Sequence, residues 1–295
     1  MKKPGLILLL TTLTAPVLAE DVSETLDADP NGHVSVSNVA GSIDVRGWSR
    51  DSVEVTGSLG DDVDELVFER NGRTIEIQVK VPKRMFGRKD VSSRLSIRVP
   101  QGSTLEVTGV SASIDVRDVQ GDDIELQSVS GSIDADVYGG DIQIGTVSGS
   151  INVQGNGARG DIELESVSGS VSAEDLSGEI AAESVSGRVS ISGGSFESGD
   201  LETVNGSIIF KAGLEPGGDL TAESVNGSVT IDIPNALDAE YDLETFNGGI
   251  RNCFDKKAER TSRYAPGKRL NFTVGDGSAS ISVETLNGSI NVCAG

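Results

Sequence analysis

The five residues Val-Ser-Gly-Ser-Ile at Val129 come back, barely altered, about every twenty positions along the chain. They recur as VSGSI at Val147, VSGSV at Val167, VSGRV at Val185, VNGSI at Val204, VNGSV at Val225, FNGGI at Phe246 and LNGSI at Leu286. VAGSI at Val39 and VSASI at Val110 are outlying relatives. From Val110 to Phe246, successive first residues stand 19, 18, 20, 18, 19, 21 and 21 apart. A period this short and this regular calls for a solenoid, in which each repeat is one unit that can bury its apolar face only against its neighbours.

The pattern inside one period selects the kind of solenoid. In DIELESVSGSVSAEDLSG the apolar residues are Ile162, Leu164, Val167, Val171, Ala173 and Leu176, read here as the inward set. Ile162/Leu164 and Val171/Ala173 alternate with polar residues, the period-2 mark of a strand with one buried face. No helical pattern interrupts them. The expected fold is therefore all-β, a parallel β-solenoid (β-helix) of roughly 18–21 residues per coil with atypical β-rich caps at both ends. Aromatic residues make up 4% of the chain, so Val, Ile, Leu and Ala must fill a narrow core. The 37 glycines fit tight corners, where positive φ is expected of Gly131, Gly149, Gly169, Gly187, Gly206, Gly227 and Gly248. Beside this ladder a column of Ser130, Ser148, Ser168 and Ser186 changes to Asn205, Asn226 and Asn247, whose amides are expected to bond along the stack.

The two ends depart from the period. Residues 1–19 join Lys2 and Lys3 to a short apolar run and Val17-Leu18-Ala19, the form of a signal peptide cleaved after Ala19. No later stretch reaches the ~20 apolar residues of a membrane span. Export implies a periplasmic or extracellular location. Residues 20–100 read as an N-terminal β-rich cap, with a tight hairpin at Asn71-Gly72. Residues 101–250 read as regular coils, and 251–295 as an insertion loop followed by the last coil or coils. Cys253 lies three residues after Ile250 and Cys293 three after Ile290, the same station in two coils. Adjacent coils would bring their Cα atoms to about 4.8 Å, within disulfide range, whereas an intervening coil would not.

Few residues invite chemistry. His33 is the single histidine, and neither a catalytic triad nor a metal motif can be assembled around it. No catalytic residue and no cofactor is assigned. Asp123, Asp141, Asp161, Glu179, Asp200 and Asp219 each precede the first strand of a coil and would stack as an acidic stripe. Calcium takes such oxygens, so Asp123, Asp141, Asp161, Asp200 and Asp219 are the residues from which a metal site would be built. The calcium-binding nonapeptide is missing, and no metal is assigned. Removing residues 1–19 takes the net charge from −22 to −24, which excludes nucleic acid as a partner. Two basic islands break the acidity: Lys83, Arg84, Arg88, Lys89 and Arg94; then Lys256, Lys257, Arg260, Arg263, Lys268 and Arg269. They are candidate docking loops for an anionic glycan or acidic protein, or partners of the chain's own acidic body. The outward set left free by the repeat is acidic: Glu163, Glu165, Glu174 and Glu183.

The segments VRGWSRDSVEVTGSL and PGKRLNFTVGDGSASISVETLNGSINV, with the VSGSI and VNGSV coils between them, carry a family likeness. The chain resembles the bacterial putative-adhesin family of exported β-strand-repeat proteins, a domain of unknown function. The resemblance spans nearly all of residues 33–293. It implies a β-helix with no established reaction or cofactor; the paired cysteines are not among its general features. The reading reached is a non-enzymatic structural or adhesion surface whose partner is an unknown protein or glycan of the cell envelope. A carbohydrate-active β-helix enzyme and an envelope-stress regulatory protein remain the alternatives. Peptide mass mapping without reduction is expected to recover Cys253 and Cys293 in one cross-linked peptide pair; two free thiols would refute the pairing.

Overall fold

The computed structural model describes residues 20–83, 90–157, 159–234, 238–262 and 265–294, all in strands and the turns between them. The chain winds as a solenoid-like β fold in which each period lays down one strand on each of two parallel ladders. On one ladder Ile124, Ile142, Ile162 and Ile180 follow one another in register. On the other, Ile133, Ile151, Val171 and Val189 do the same. Their side chains all point into one continuous core that runs the length of the stack. Between Asp123 and Ser184 the strands are four to eight residues long, because the inward space is only a few side chains across.

The corner between the two ladders is built differently from the expectation. None of the seven repeat glycines has positive φ. They are required instead by contact. A Cβ on Gly169 would lie 1.7 Å from the carbonyl oxygen of Gly149, and one on Gly187 would lie 1.9 Å from that of Gly169. Each glycine is thus pressed against the backbone of the corner residue in the neighbouring coil, Ala112 for Gly131 and a glycine for the other six. The residue three positions ahead of each glycine is a buried Ser or Thr. Its hydroxyl donates to the carbonyl of that earlier corner, as Ser166 does to Gly149, Ser184 to Gly169 and Thr203 to Gly187, at 2.9–3.1 Å. The same bond repeats from Ser128, bonded to Ala112, through Thr285, bonded to Gly227, to Thr245, bonded to Gly288.

Chain order and stacking order part company at both ends. The strand Ala279–Thr285 pairs on one side with Ile208–Ser224 and on the other with Ala239–Thr245. The coil of Leu286 is therefore inserted between those of Val225 and Phe246 rather than added at the end. The interleaving places Ile250–Asn252 beside Ile290–Ala294, and Cys253 and Cys293 form a disulfide with a Cα separation of 5.0 Å. Outside the Phe246 coil, Lys268–Val274 runs antiparallel to Ala239–Thr245. There Tyr241 stacks on Phe272 at 4.6 Å, with Phe254 against both, so aromatics cover the end of the aliphatic core.

The N-terminal end follows the same plan. His33–Trp48 lies between Thr104–Val119 and the pair Thr74–Lys80 and Ser92–Pro100, although that pair comes later in the sequence than His33–Trp48. Antiparallel strands finish the edge: Glu65–Asn71 in a hairpin with Thr74–Lys80, Ser52–Leu59 on Ser92–Pro100, and Glu20–Asp27 on Ser52–Leu59.

The corner contact has a direct test. Gly187→Ala is expected to lower the unfolding free energy by roughly 2–4 kcal/mol, because the backbone it meets has nowhere to go. Gly145→Ala, whose Cβ would meet nothing within 4 Å, is expected to change it by less than about 0.5 kcal/mol. Urea titrations of both variants measure the difference.

Candidate functional site

The buried hydroxyls have a consequence for the surface. Alternation continues through them: Ile162, Leu164 and Ser166 are inward, so Glu163, Glu165 and Val167 are outward. Val167, read from its apolarity as a core residue, in fact faces solvent. The same holds at every repeat. Val110, Val129, Val147, Val167, Val185, Val204, Val225, Leu286 and Phe246, in stacking order, are each 40–48% exposed. The backbone locks them rung to rung, for the amide of Ser148 donates to the carbonyl of Val129 and that of Asn287 to the carbonyl of Val225. Val39 occupies the same station one coil earlier, between Asn38 and Ala40, which pair with Gly109 and Ser111.

Two polar rails flank this apolar column. Two residues ahead of each apolar side chain stand Thr108, Gln127, Gly145, Glu165, Glu183, Glu202, Glu223, Glu284 and Glu244, paired neighbour to neighbour in that order. The opposite rail is the Ser and Asn column. Its amides bond as expected, but through the inserted coil: Asn226 donates to Asn205 at 3.0 Å, Asn287 to Asn226 at 2.9 Å, and Asn247 to Asn287 at 2.9 Å. Between the acidic rail and the apolar column runs a groove of about 850 Å³, lined as well by the buried hydroxyl residues; the Ser and Asn column stands beyond the valines. Its length, eight steps of about 4.8 Å, is close to 38 Å.

A family model described as Toastrack DUF4097 matches residues 32–293. The chain belongs to this family. A comparison with curated proteins gives no match. Among solved structures it is similar to a putative lipid binding protein from Parabacteroides distasonis, at 15% identity and a TM-score of 0.45, covering 92% of this chain and 96% of that one. A putative adhesin from Parabacteroides merdae is similar at 12% identity and a TM-score of 0.40, covering 92% and 96%. A putative adhesin from Bacteroides fragilis is similar at 12% identity and a TM-score of 0.35, covering 92% and 97%.

Other sequence-selected residues of this Toastrack chain are scattered. Asp123, Asp141, Asp161 and Glu179 do share one outward column, on the opposite side of the coil's first strand from the valine groove. Asp219 is paired with Ser198, which pairs with Glu179. A register shift after Gly178 moves Asp200 out of that column, opposite Ala181. No cluster of three or more metal-ligating side chains occurs among the described residues. His33 lies 3.4 Å from Glu106, and Trp48 donates to the carbonyl of Ser52 under the guanidinium of Arg50. Arg84, Arg88, Lys89 and Arg263 lie outside the described residues; Lys83, Lys256, Lys257 and Arg260 are exposed. Arg269 turns back onto the acidic body, bonding Asp242 at 2.6 Å and approaching Glu244 at 4.0 Å. Arg159, which the sequence did not single out, bridges Glu197 and Glu215 from the two later turns.

The glutamate rail is electrostatically loaded. Burial, then the charges of Glu202 and Glu165, raise the Glu183 carboxyl above its usual value of 4.5. Burial, then Glu284 and Glu202, raise that of Glu223 likewise. A raised carboxyl binds more protons folded than unfolded. Stability from these two groups therefore falls as pH climbs above 4.5 through the raised values, and returns as pH falls back toward 4.5. Glu183→Gln with Glu223→Gln is expected to raise the melting temperature at neutral pH. The gain over wild type should shrink as the pH is lowered toward 4.5, as measured by thermal melts across that range.

Proposed function

We propose that this chain is an exported, non-enzymatic solenoid of 18–21 residues per coil whose atypical ends act as caps, and that it serves as a binding surface in the cell envelope. The observation that carries the reading is the uninterrupted column of nine exposed large apolar side chains. A folded chain of this charge gains nothing from keeping one apolar residue per coil in water, and contiguous exposed apolar strips of this extent mark interaction sites. The disulfide supports export, since such bonds persist in oxidising compartments. A signal peptide over residues 1–19 belongs to the same reading.

An enzyme is the weaker reading for a chemical reason. Glycoside hydrolysis needs two carboxyl groups in different environments, one donating a proton and one ionised. The acidic rail offers the same carboxylate at rung after rung from Glu165 onward. The partner is an envelope protein or glycan, and the groove is the surface it meets; the basic segments at Lys83 and at Lys256, Lys257 and Arg260 are secondary contacts.

The groove is tested in living cells. A photo-reactive amino acid replacing Val185, at the centre of the column, is expected to give a discrete covalent adduct on irradiation of intact cells. The same residue replacing Glu163, outside the groove on the same ladder, is expected to give none. Equal adduct patterns from both positions would remove the groove from the function.

A further inference from the structure

The lining of the groove also specifies what kind of partner fits, and this step rests on the binding role proposed above. We infer that the groove receives an amphipathic α-helix of another protein, about 25 residues long, with its apolar stripe on the valine column and Lys or Arg along one flank only, facing the glutamate rail.

Three features of the lining lead there. The first is backbone satisfaction. Amides and carbonyls at the apolar column are already bonded between neighbouring coils, as Ser168 to Val147 and Asn205 to Val185. The groove therefore offers side chains and no free strand edge, so a partner cannot add as a β-strand. It must satisfy its own backbone, which a helix does.

The second is dimension. The column is one side chain wide, suited to the narrow stripe of a single helix. Its length of about 38 Å matches about 25 residues at 1.5 Å each, and one helical turn of 5.4 Å advances by about one rung.

The third is charge. Glu165, Glu183, Glu202 and Glu223 form a run of like charges with no ion pair to a cation among the described residues, while at the end of the rail Arg269 lies against Glu244 and also acts on Glu284. Like charges directly opposite on a sheet repel, and a row of cations relieves all of them together. On the far side of the apolar column the Ser and Asn residues are neutral, and the Asn amides already bond to each other. Cations are thus called for on one flank alone. A second copy of the mature chain would bring a like-charged rail and, with the two Lys of residues 1–19 removed from a total of −22, a net charge of −24 to the same groove.

The test uses the mature disulfide-bonded chain and three probes. The first is a labelled 25-residue synthetic helix with leucines on one face and lysines along one flank. The second is its twin with glutamates in place of the lysines, and the third is oleate. Fluorescence anisotropy at low salt is expected to show binding of the lysine peptide and at least about tenfold weaker binding of its twin. Two triple variants, Glu183→Gln/Glu202→Gln/Glu223→Gln and Val167→Ser/Val185→Ser/Val204→Ser, are each expected to weaken the lysine peptide at least about tenfold. Circular dichroism of both variants checks that the fold is retained, as substitution of exposed side chains should allow. Equal affinity for both peptides, or for wild type and either variant, overturns the inference. Oleate bound through the valine column with no peptide binding also overturns the helix, while leaving the groove as a binding surface. Loss of the Val185 adduct in cells would instead remove the groove reading itself.

Discussion

A carbonyl oxygen at each corner holds this molecule together. It receives the bare α-carbon of the next coil's glycine on one side and the buried hydroxyl of the next coil's Ser or Thr on the other. Neither contact tolerates change in isolation. A side chain on the glycine would strike the carbonyl, and an apolar residue in place of the hydroxyl would leave the carbonyl buried and unpaired. Together they set the distance between coils at the corner and keep the two ladders in phase. The serine and threonine residues could not be replaced by aliphatics to enlarge the core without losing that lock.

The lock also explains the surface. Because the hydroxyl residue takes the inward place in the alternation, the following apolar residue is turned to the solvent at every coil. A glutamate two residues earlier shares its face. A groove with an acidic side and an apolar side, and a neutral amide column beyond the apolar one, thus arises from one corner design copied along the stack. The acidic rail is destabilising by itself, since burial and mutual repulsion both hold the carboxyls of Glu183 and Glu223 up. A cationic partner would reverse that sign, which makes the rail a surface suited to being covered.

Much of this was legible in the residues. The alternation at Ile162/Leu164 and Val171/Ala173 marks the strands and the period marks the coil; Cys253 and Cys293 hold matching stations, but that they meet depends on the interleaving of the Leu286 coil. The groove was also present, but only to a reading that follows phase rather than polarity. Val167 is apolar and was placed inside; counting by twos from Ile162 through Ser166 puts it outside. The repeat glycines serve close approach between coils, which leaves no mark in a single repeat that distinguishes it from positive φ. Asp200 was misaligned because a bulge near Gly178 changes the register without changing the period.

The sequence by itself determined the unit: a two-strand coil with a glycine corner, aliphatic inward residues and an acidic outer face. Those features depend on neighbours two to twenty residues away, which a single chain displays directly. Only the tertiary structure decided the order in which the units stack. The coils of Val225, Phe246 and Leu286 carry nearly the same corner, so each could accept either of the others by the same hydrogen bonds. Their order was set by what must cover the end: Lys268–Val274 returns antiparallel against Ala239–Thr245, with Phe272 over Tyr241, which leaves the Leu286 coil to pair on the other face. That insertion keeps the asparagine ladder unbroken and extends the apolar column through its last two and largest side chains.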